Sequence, residues 1–288
     1  MNQPLWMPKR RIEVAFRRAL LNVAKGVVAH AEKASDPAAI SVALERLTQA
    51  PDFIRLSEAI AMKMVTGLFD DTGRTWREAA RNNSRGKDIY QALQKELLGG
   101  RGGCVRELVK ENAALIKTLP KNIADDVTAY AAREAMKGRR ASDIADEIRW
   151  LFPEKTRARA ELIARTQVSM TQTNLVQARA EGLGLNWYIW RACGGKQGDG
   201  RTRNSHRHMS GVLVRWNDPP APEDLFPIHC TDGKPYNNKL GNYHAGCCPN
   251  CRCYSEPVVD IDVLDWQMRV HQNGTIGRVT RKQFERMI

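Results

Sequence analysis

At 288 residues the chain has room for one or two domains, and its 42% hydrophobic residues suffice for a packed core. Charged residues make up 27%, and no run approaches the roughly 20 apolar residues of a membrane span, which excludes a helical membrane protein. The net charge of +13, concentrated in residues 1–185, points to a polyanionic partner such as nucleic acid; the plainer alternative is a basic, solvated surface. Met1–Arg11 is polar and basic with no apolar segment behind it, which argues against export. Seven cysteines, an odd number, then fit a reducing compartment where thiols bind metal or stay free.

Ile12, Phe16, Leu20, Val23 and Val27 form the stripe of an amphipathic helix. Its other face carries Arg10, Arg11, Arg17, Arg18 and Lys25, either an arm for DNA or an acidic partner, or an ordinary solvated face. Asp36-Pro37 opens a second helix, with Asp36 as N-cap, that runs to about Gln49 and stops at Pro51. A buried helix is expected over Phe53–Phe69, broken by Asp70-Asp71-Thr72-Gly73. Gly99-Gly100-Arg101-Gly102-Gly103 reads as a flexible connection, since it lacks the phosphate-cradling P-loop pattern. A short helix from Ser142 should end near Phe152-Pro153, and a long one should run from Thr156 to Gly182. That helix carries Ala164, Val168, Thr171, Leu175 and Ala178 on one face. Its other faces hold polar residues, among them Arg165, Thr166, Thr173 and Asn174. Polar residues all round require hydrogen-bonding neighbours or solvent.

The pattern then turns to strands at Leu185–Arg191, Gly211–Trp216 and Tyr254–Val259, separated by proline-rich loops. The fold class expected is α+β: a mainly helical N-terminal region, a small loop-rich β module and a short helical C-terminal tail, with helix over Val263–Val270. The divisions expected are 1–155 for the basic helical region, 156–259 for a long helix with the β module, and 260–288 for the basic tail.

Four cysteines fall within Cys247-Cys248-Pro249-Asn250-Cys251-Arg252-Cys253. Cys248 and Cys251 form a C-x-x-C and Cys251 and Cys253 a C-x-C, spacings at which thiolates converge on one tetrahedral metal such as zinc. A small module with little core gains from such a staple. The second knuckle is Cys248, Cys251 and Cys253; the first could come from His206, His208 or Cys193. The plain alternative is a set of small buried thiols. Asp199-Gly200 suits a turn, Arg201 or Arg203 could pair with that carboxylate, and Thr202 could cap a short helix in which His206 and Met209 share a face. No nucleophile stands at a recognisable catalytic motif.

Several of these pieces occur in a familiar order: Ala164-Arg165-Thr166, Asn174, Ala178-x-Ala180-x-Gly182, Trp187, Asp199-x-Arg201-Thr202-Arg203-x-x-His206, Gly211, a proline-rich loop and Pro249-Asn250-Cys251-Arg252-Cys253. Together they resemble the Mu F-like family of phage minor head (head morphogenesis) proteins over about residues 160–257. Many members carry a histidine three residues before the first cysteine of the final motif, where this chain has Cys248. The resemblance therefore implies a variant ligand set of His206, Cys248, Cys251 and Cys253. The insert holding His229, Cys230, His244 and Cys247 is longer than the family leads one to expect.

The resemblance implies a non-enzymatic virion component that works in head assembly near the portal, after passage through the host cytoplasm. Its expected partners are portal protein, major capsid protein and packaged double-stranded DNA, with no membrane. Two alternatives compete with it. One is a metal-dependent nuclease using Asp199, His206, His208 and His244, although no acidic pair for a two-metal site is evident. The other is a zinc-stapled nucleic-acid-binding module without an assembly role.

Overall fold

The computed structural model describes residues 4–34, 36–81, 83, 85–98, 102–195, 199–227 and 240–288. The first helix, α1 (Arg10–Ala31), buries Phe16, Leu20, Val23 and Val27 and exposes Arg10, Arg11, Arg17, Arg18 and Lys25. Helix α2 (Pro37–Gln49) begins where a capping residue precedes proline: the Asp36 carboxylate accepts the Ala39 N–H at 3.0 Å.

Helix α3 (Pro51–Arg81) is continuous through Asp70-Asp71-Thr72-Gly73, contrary to the break expected there. Each of these residues is a weak helix former, but the cost is at most about 1 kcal/mol apiece. A local ion pair works against it: buried Asp71 takes Arg74 one turn on at 3.2 Å. Helix α4 (Gly86–Leu98) ends before the glycine-rich stretch and α5 (Gly102–Met136) begins inside it, so Gly102 and Gly103 are helical and not part of a connection; residues 99–101 lie outside the described residues.

Helix α6 (Ala141–Gly182) replaces the two helices expected on either side of Phe152-Pro153. Proline inside a helix costs about 3 kcal/mol through its missing N–H and its clash with the preceding turn. Burial of Ile148 and Phe152 before it, and of Ala160 and Ala164 after it, outweighs that cost. The Thr156 hydroxyl bonds back to the Phe152 carbonyl at 2.7 Å. Leu185 N–H donates to the Ala180 carbonyl at 2.9 Å, closing the helix so that the chain turns directly into a strand.

The chain divides into two compact units, each drawn from separated segments. One is all helical, from residues 10–67 and 103–167. Within it Ser41 and Thr128 share a hydroxyl hydrogen bond at 2.9 Å, and Arg149 donates to the Ala34 carbonyl at 3.0 Å.

The other unit, from residues up to 9, 68–102 and 168–288, contains a mixed sheet. Its elements are β1 (Trp187–Arg191), α7 (Asn204–Met209), β2 (Val212–Arg215), α8 (Pro222–Leu225), β3 (Tyr254–Pro257), β4 (Met268–Gln272), β5 (Thr275–Val279) and α9 (Arg281–Phe284). The strand order is β3-β1-β2-β4-β5, with only β2 and β4 parallel. Alternation along β1 sorts its side chains between two cores. Trp187 and Ile189 pack with Leu213, Val270 and Phe284 on one face. Tyr188 and Trp190 pack on the other with Val212, Val214, Val176 of α6, Trp76 of α3 and the cysteines.

The expected helix over Val263–Val270 is absent; bends there lead into the β4–β5 hairpin. Asn273-Gly274 decides this. Both residues have positive φ, 48° and 74°, between the paired Gln272 and Thr275, which is the two-residue turn that matches strand twist. The tail thereby extends the sheet by two strands before its one short helix, α9.

Candidate metal centre

The approach to the centre is a turn. Asp199 Oδ1 accepts from the Arg201 backbone N–H at 3.1 Å and lies 2.8 Å from the Thr202 hydroxyl, which is also 3.0 Å from the Cys193 carbonyl. Thr202 is thus spent on the turn and does not cap α7, whose N-cap is Arg203 with no side-chain capping bond. Neither does Arg203 go to Asp199: its guanidinium donates to Cys248 Sγ at 3.2 Å and to the Pro249 carbonyl at 3.0 Å. Helix α7 then turns Ser205, His206 and Met209 inward and leaves His208 exposed, stacked on Phe226.

The cysteine segment closes around His206. Cys251 N–H donates to the Cys248 carbonyl at 3.1 Å across Pro249 and left-handed Asn250, closing a tight turn. The Cys253 N–H donates to Cys251 Sγ at 3.3 Å. His206 Nδ1 stands 3.5 Å from Cys251 Sγ and 3.4 Å from Cys253 Sγ; its Nε2 is 3.9 Å from Cys248 Sγ. All four residues are buried, none more than 3% exposed. The ligand atoms of His206, Cys248 and Cys251 lie within 4.8 Å of one another, close enough to hold one metal ion.

Helix α6 backs this segment. The Thr173 hydroxyl donates to the Ala245 carbonyl at 2.7 Å. Gly246 has φ +89°, and a Cβ there would stand 2.8 Å from the Cys253 carbonyl and 3.0 Å from Thr173 Oγ1. Only glycine allows this approach.

A further chain of groups closes on the other nitrogen of His206. Tyr243 Oη lies 2.8 Å from Nε2 and 2.8 and 2.7 Å from the two oxygens of Glu223, which also accepts from the Ser205 hydroxyl at 3.2 Å. Burial, Cys248 and Glu223 push the Tyr243 pKa far above its ordinary value, so the hydroxyl keeps its proton. Burial alone would raise Glu223, but His206 and Tyr243 outweigh it and hold the carboxyl below its usual range. Burial opposes protonation of His206, yet the sulfurs of Cys248 and Cys251 and the Glu223 carboxylate lift its pKa to about 11. Cys248 is raised by the neighbouring Cys251 sulfur and by burial. So many acceptors around one imidazole favour a cation, whose arrival would displace the thiol protons.

Thiols and imidazole are the donors that zinc prefers. A tetrahedral zinc with ordinary bond lengths would place its nitrogen and sulfur ligands about 3.5 Å apart, and the two Nδ1–sulfur distances fit that spacing.

The other candidates are distributed elsewhere. His244 Nδ1 lies 3.1 Å from the Tyr188 hydroxyl, beside Trp216. Cys247 is set near Thr173, and burial raises its thiol to about 12. Cys193 is half-buried near Asp199, raised to about 11 mainly by burial. His229 and Cys230 lie outside the described residues. Arg165 and Thr166 belong to the helical unit, while Asn174 is half-buried on α6 in the other. Arg10, Arg11, Arg17 and Arg18 lie on the solvent face of α1. Sequence reasoning missed Glu223 and Tyr243, which no spacing rule connects to His206, and Gly246, whose role depends on α6 behind it.

Residues 123–256 match the family described as Phage Mu protein F like protein. The match bears out the resemblance and begins earlier than the motifs did, within α5. It takes in β1, α7, the cysteine segment and most of β3, and so includes every group of the centre. An uncharacterized protein of Haemophilus influenzae is 31% identical over 179 residues, covering 62% of this chain and 34% of that protein. The chain thus spans about a third of the length of the curated relative it matches. No solved structure matches.

Proposed function

We propose that the protein is a minor structural component of a tailed-phage head, acting in head morphogenesis. The observation that carries this reading is the Phage Mu protein F like match over residues 123–256. The protein works beside the portal, in contact with portal or major capsid protein, and resides in the virion after assembly in the host cytoplasm. The net charge of +13 supports contact with packaged double-stranded DNA through phosphates, for which the arginines of α1 are the candidates.

His206, Cys248, Cys251 and Cys253 hold zinc as a structural staple. Their burial supports this role, because a catalytic zinc keeps an open position for water or substrate. The nuclease alternative draws little support from the geometry. His208 faces solvent, His244 bonds Tyr188, and Asp199 is engaged in a turn, so the four residues have separate surroundings. Among the described residues, the mutually close set of potential metal ligands is His206, Cys248 and Cys251, with Cys253 Sγ beside it at 3.4 Å from His206 Nδ1.

The test is to delete the gene from the phage that carries it and image the particles. Aberrant or unfilled heads are expected; normal infectious heads would overturn the assembly role. Incubating the purified protein with linear and circular DNA and magnesium tests the alternative, since cleavage abolished by His206→Ala would establish an enzyme.

A further inference from the structure

The Tyr243 hydroxyl has one proton and two neighbours, Nε2 of His206 at 2.8 Å and the Glu223 carboxylate at 2.7–2.8 Å. An ionised carboxylate only accepts hydrogen bonds. The hydroxyl therefore donates to Glu223, and its lone pair is left to accept a proton from Nε2–H of His206. In the neutral imidazole that a metal ligand must be, the proton then sits on Nε2, whose other neighbours are Glu223 at 3.6 Å and Cys248 Sγ at 3.9 Å, and the Nδ1 lone pair is directed among Cys251 and Cys253, at 3.5 and 3.4 Å. Ser205, adjacent to His206 on α7, bonds Glu223 at 3.2 Å and so anchors the far end of the chain of groups. The Tyr243 ring is itself held, packed on Trp190 and on His206, and the Tyr243 backbone N–H donates to the Pro220 carbonyl at 2.9 Å.

From this geometry we infer that Glu223 and Tyr243 are positioning residues that commit His206 to bind metal through Nδ1. The inference rests on the zinc reading above. Neither residue would be a ligand of the metal. They set the tautomer and ring orientation of a ligand, a role whose loss commonly weakens metal binding about 10–100-fold.

The experiment uses the full chain loaded with zinc and three variants: Tyr243→Phe, Glu223→Gln and, as control, Tyr188→Phe. The control removes a hydroxyl from the same core, one that bonds His244 instead of His206. Zinc affinity is measured by competition with a chromophoric chelator. Heteronuclear NMR of the His206 ring reports which nitrogen carries the proton and how fast that proton exchanges. The expected result is a slowly exchanging Nε2–H in the wild type. Tyr243→Phe should bind zinc about 10–100-fold more weakly with rapid Nε2–H exchange, and Glu223→Gln should show a smaller loss. Tyr188→Phe should bind as the wild type does.

Unchanged affinity in Tyr243→Phe would overturn the inference while leaving the zinc reading intact. So would a wild-type proton on Nδ1, or an equal loss in Tyr188→Phe, which would mark a packing effect. A wild-type chain that binds no zinc would end the zinc reading and this inference with it.

Discussion

His206 and His208 are two residues apart in one short helix, and their surroundings are opposite: His206 is sealed among three thiols, while His208 faces solvent. In a helix, two positions amount to more than half a turn, so a face that buries one exposes the other. We expect His206→Ala or Cys251→Ser to abolish stoichiometric zinc in freshly reduced protein, and His208→Ala to leave it unchanged. Metal analysis of the three variants checks this. At Gly246 both the left-handed backbone and the missing side chain are required. Gly246→Ala should destabilise the protein by about 1–3 kcal/mol, read from urea denaturation at fixed zinc.

His244 allows a pH test. Its folded pKa falls to about 4, chiefly through burial. In the unfolded chain it titrates near 6.5, so the unfolded state binds more protons in between. The stabilisation from keeping it neutral is complete above about 6.5 and is lost as the pH falls toward about 4. His244→Gln should therefore lose less stability than the wild type between neutral pH and the acid side of this window, compared by urea midpoints.

At the scale of elements, the two long helices show packing overruling local preference. Asp70-Asp71-Thr72-Gly73 and Pro153 are sound stop signals taken alone, yet α3 and α6 continue through them. Each penalty amounts to about 1–3 kcal/mol, and burial of two or three side chains on either side exceeds it. Start signals are more dependable, because capping is a local bond. Asp36→Ala should cost about 0.5–2 kcal/mol, visible in thermal unfolding. The β4–β5 hairpin has a legible signal in Asn273-Gly274, but an apolar run before it suggests a helix. Gly274→Ala, at φ +74°, should cost about 1–2 kcal/mol and loosen the hairpin, seen as faster amide exchange at Val270 and Gly277.

At the scale of the whole molecule, charge and metal make separable predictions. If DNA is a partner, its affinity falls steeply with salt, and alanine at Arg17 or Arg18 should lower the logarithmic salt slope by about one for each phosphate left without its arginine. A salt-independent affinity would assign the basic face to another partner. Removing zinc with a strong chelator should lower the thermal midpoint and readdition should restore it, because an ion bound only by the folded chain adds its binding free energy to folding.

The family resemblance, the α+β class and the thiol-rich centre were legible in the sequence because each rests on short-range order: capping residues, strand alternation, C-x-x-C and C-x-C spacing, and a succession of motifs. The second-nitrogen partners Tyr243 and Glu223, the need for glycine at 246 and the continuity of α3 and α6 came only from tertiary structure. These depend on which side chains meet across long stretches of chain, where His206 is 37 residues from Tyr243. Local propensities of about a kilocalorie per mole cannot encode such meetings, and the burial they create is large enough to overrule those propensities.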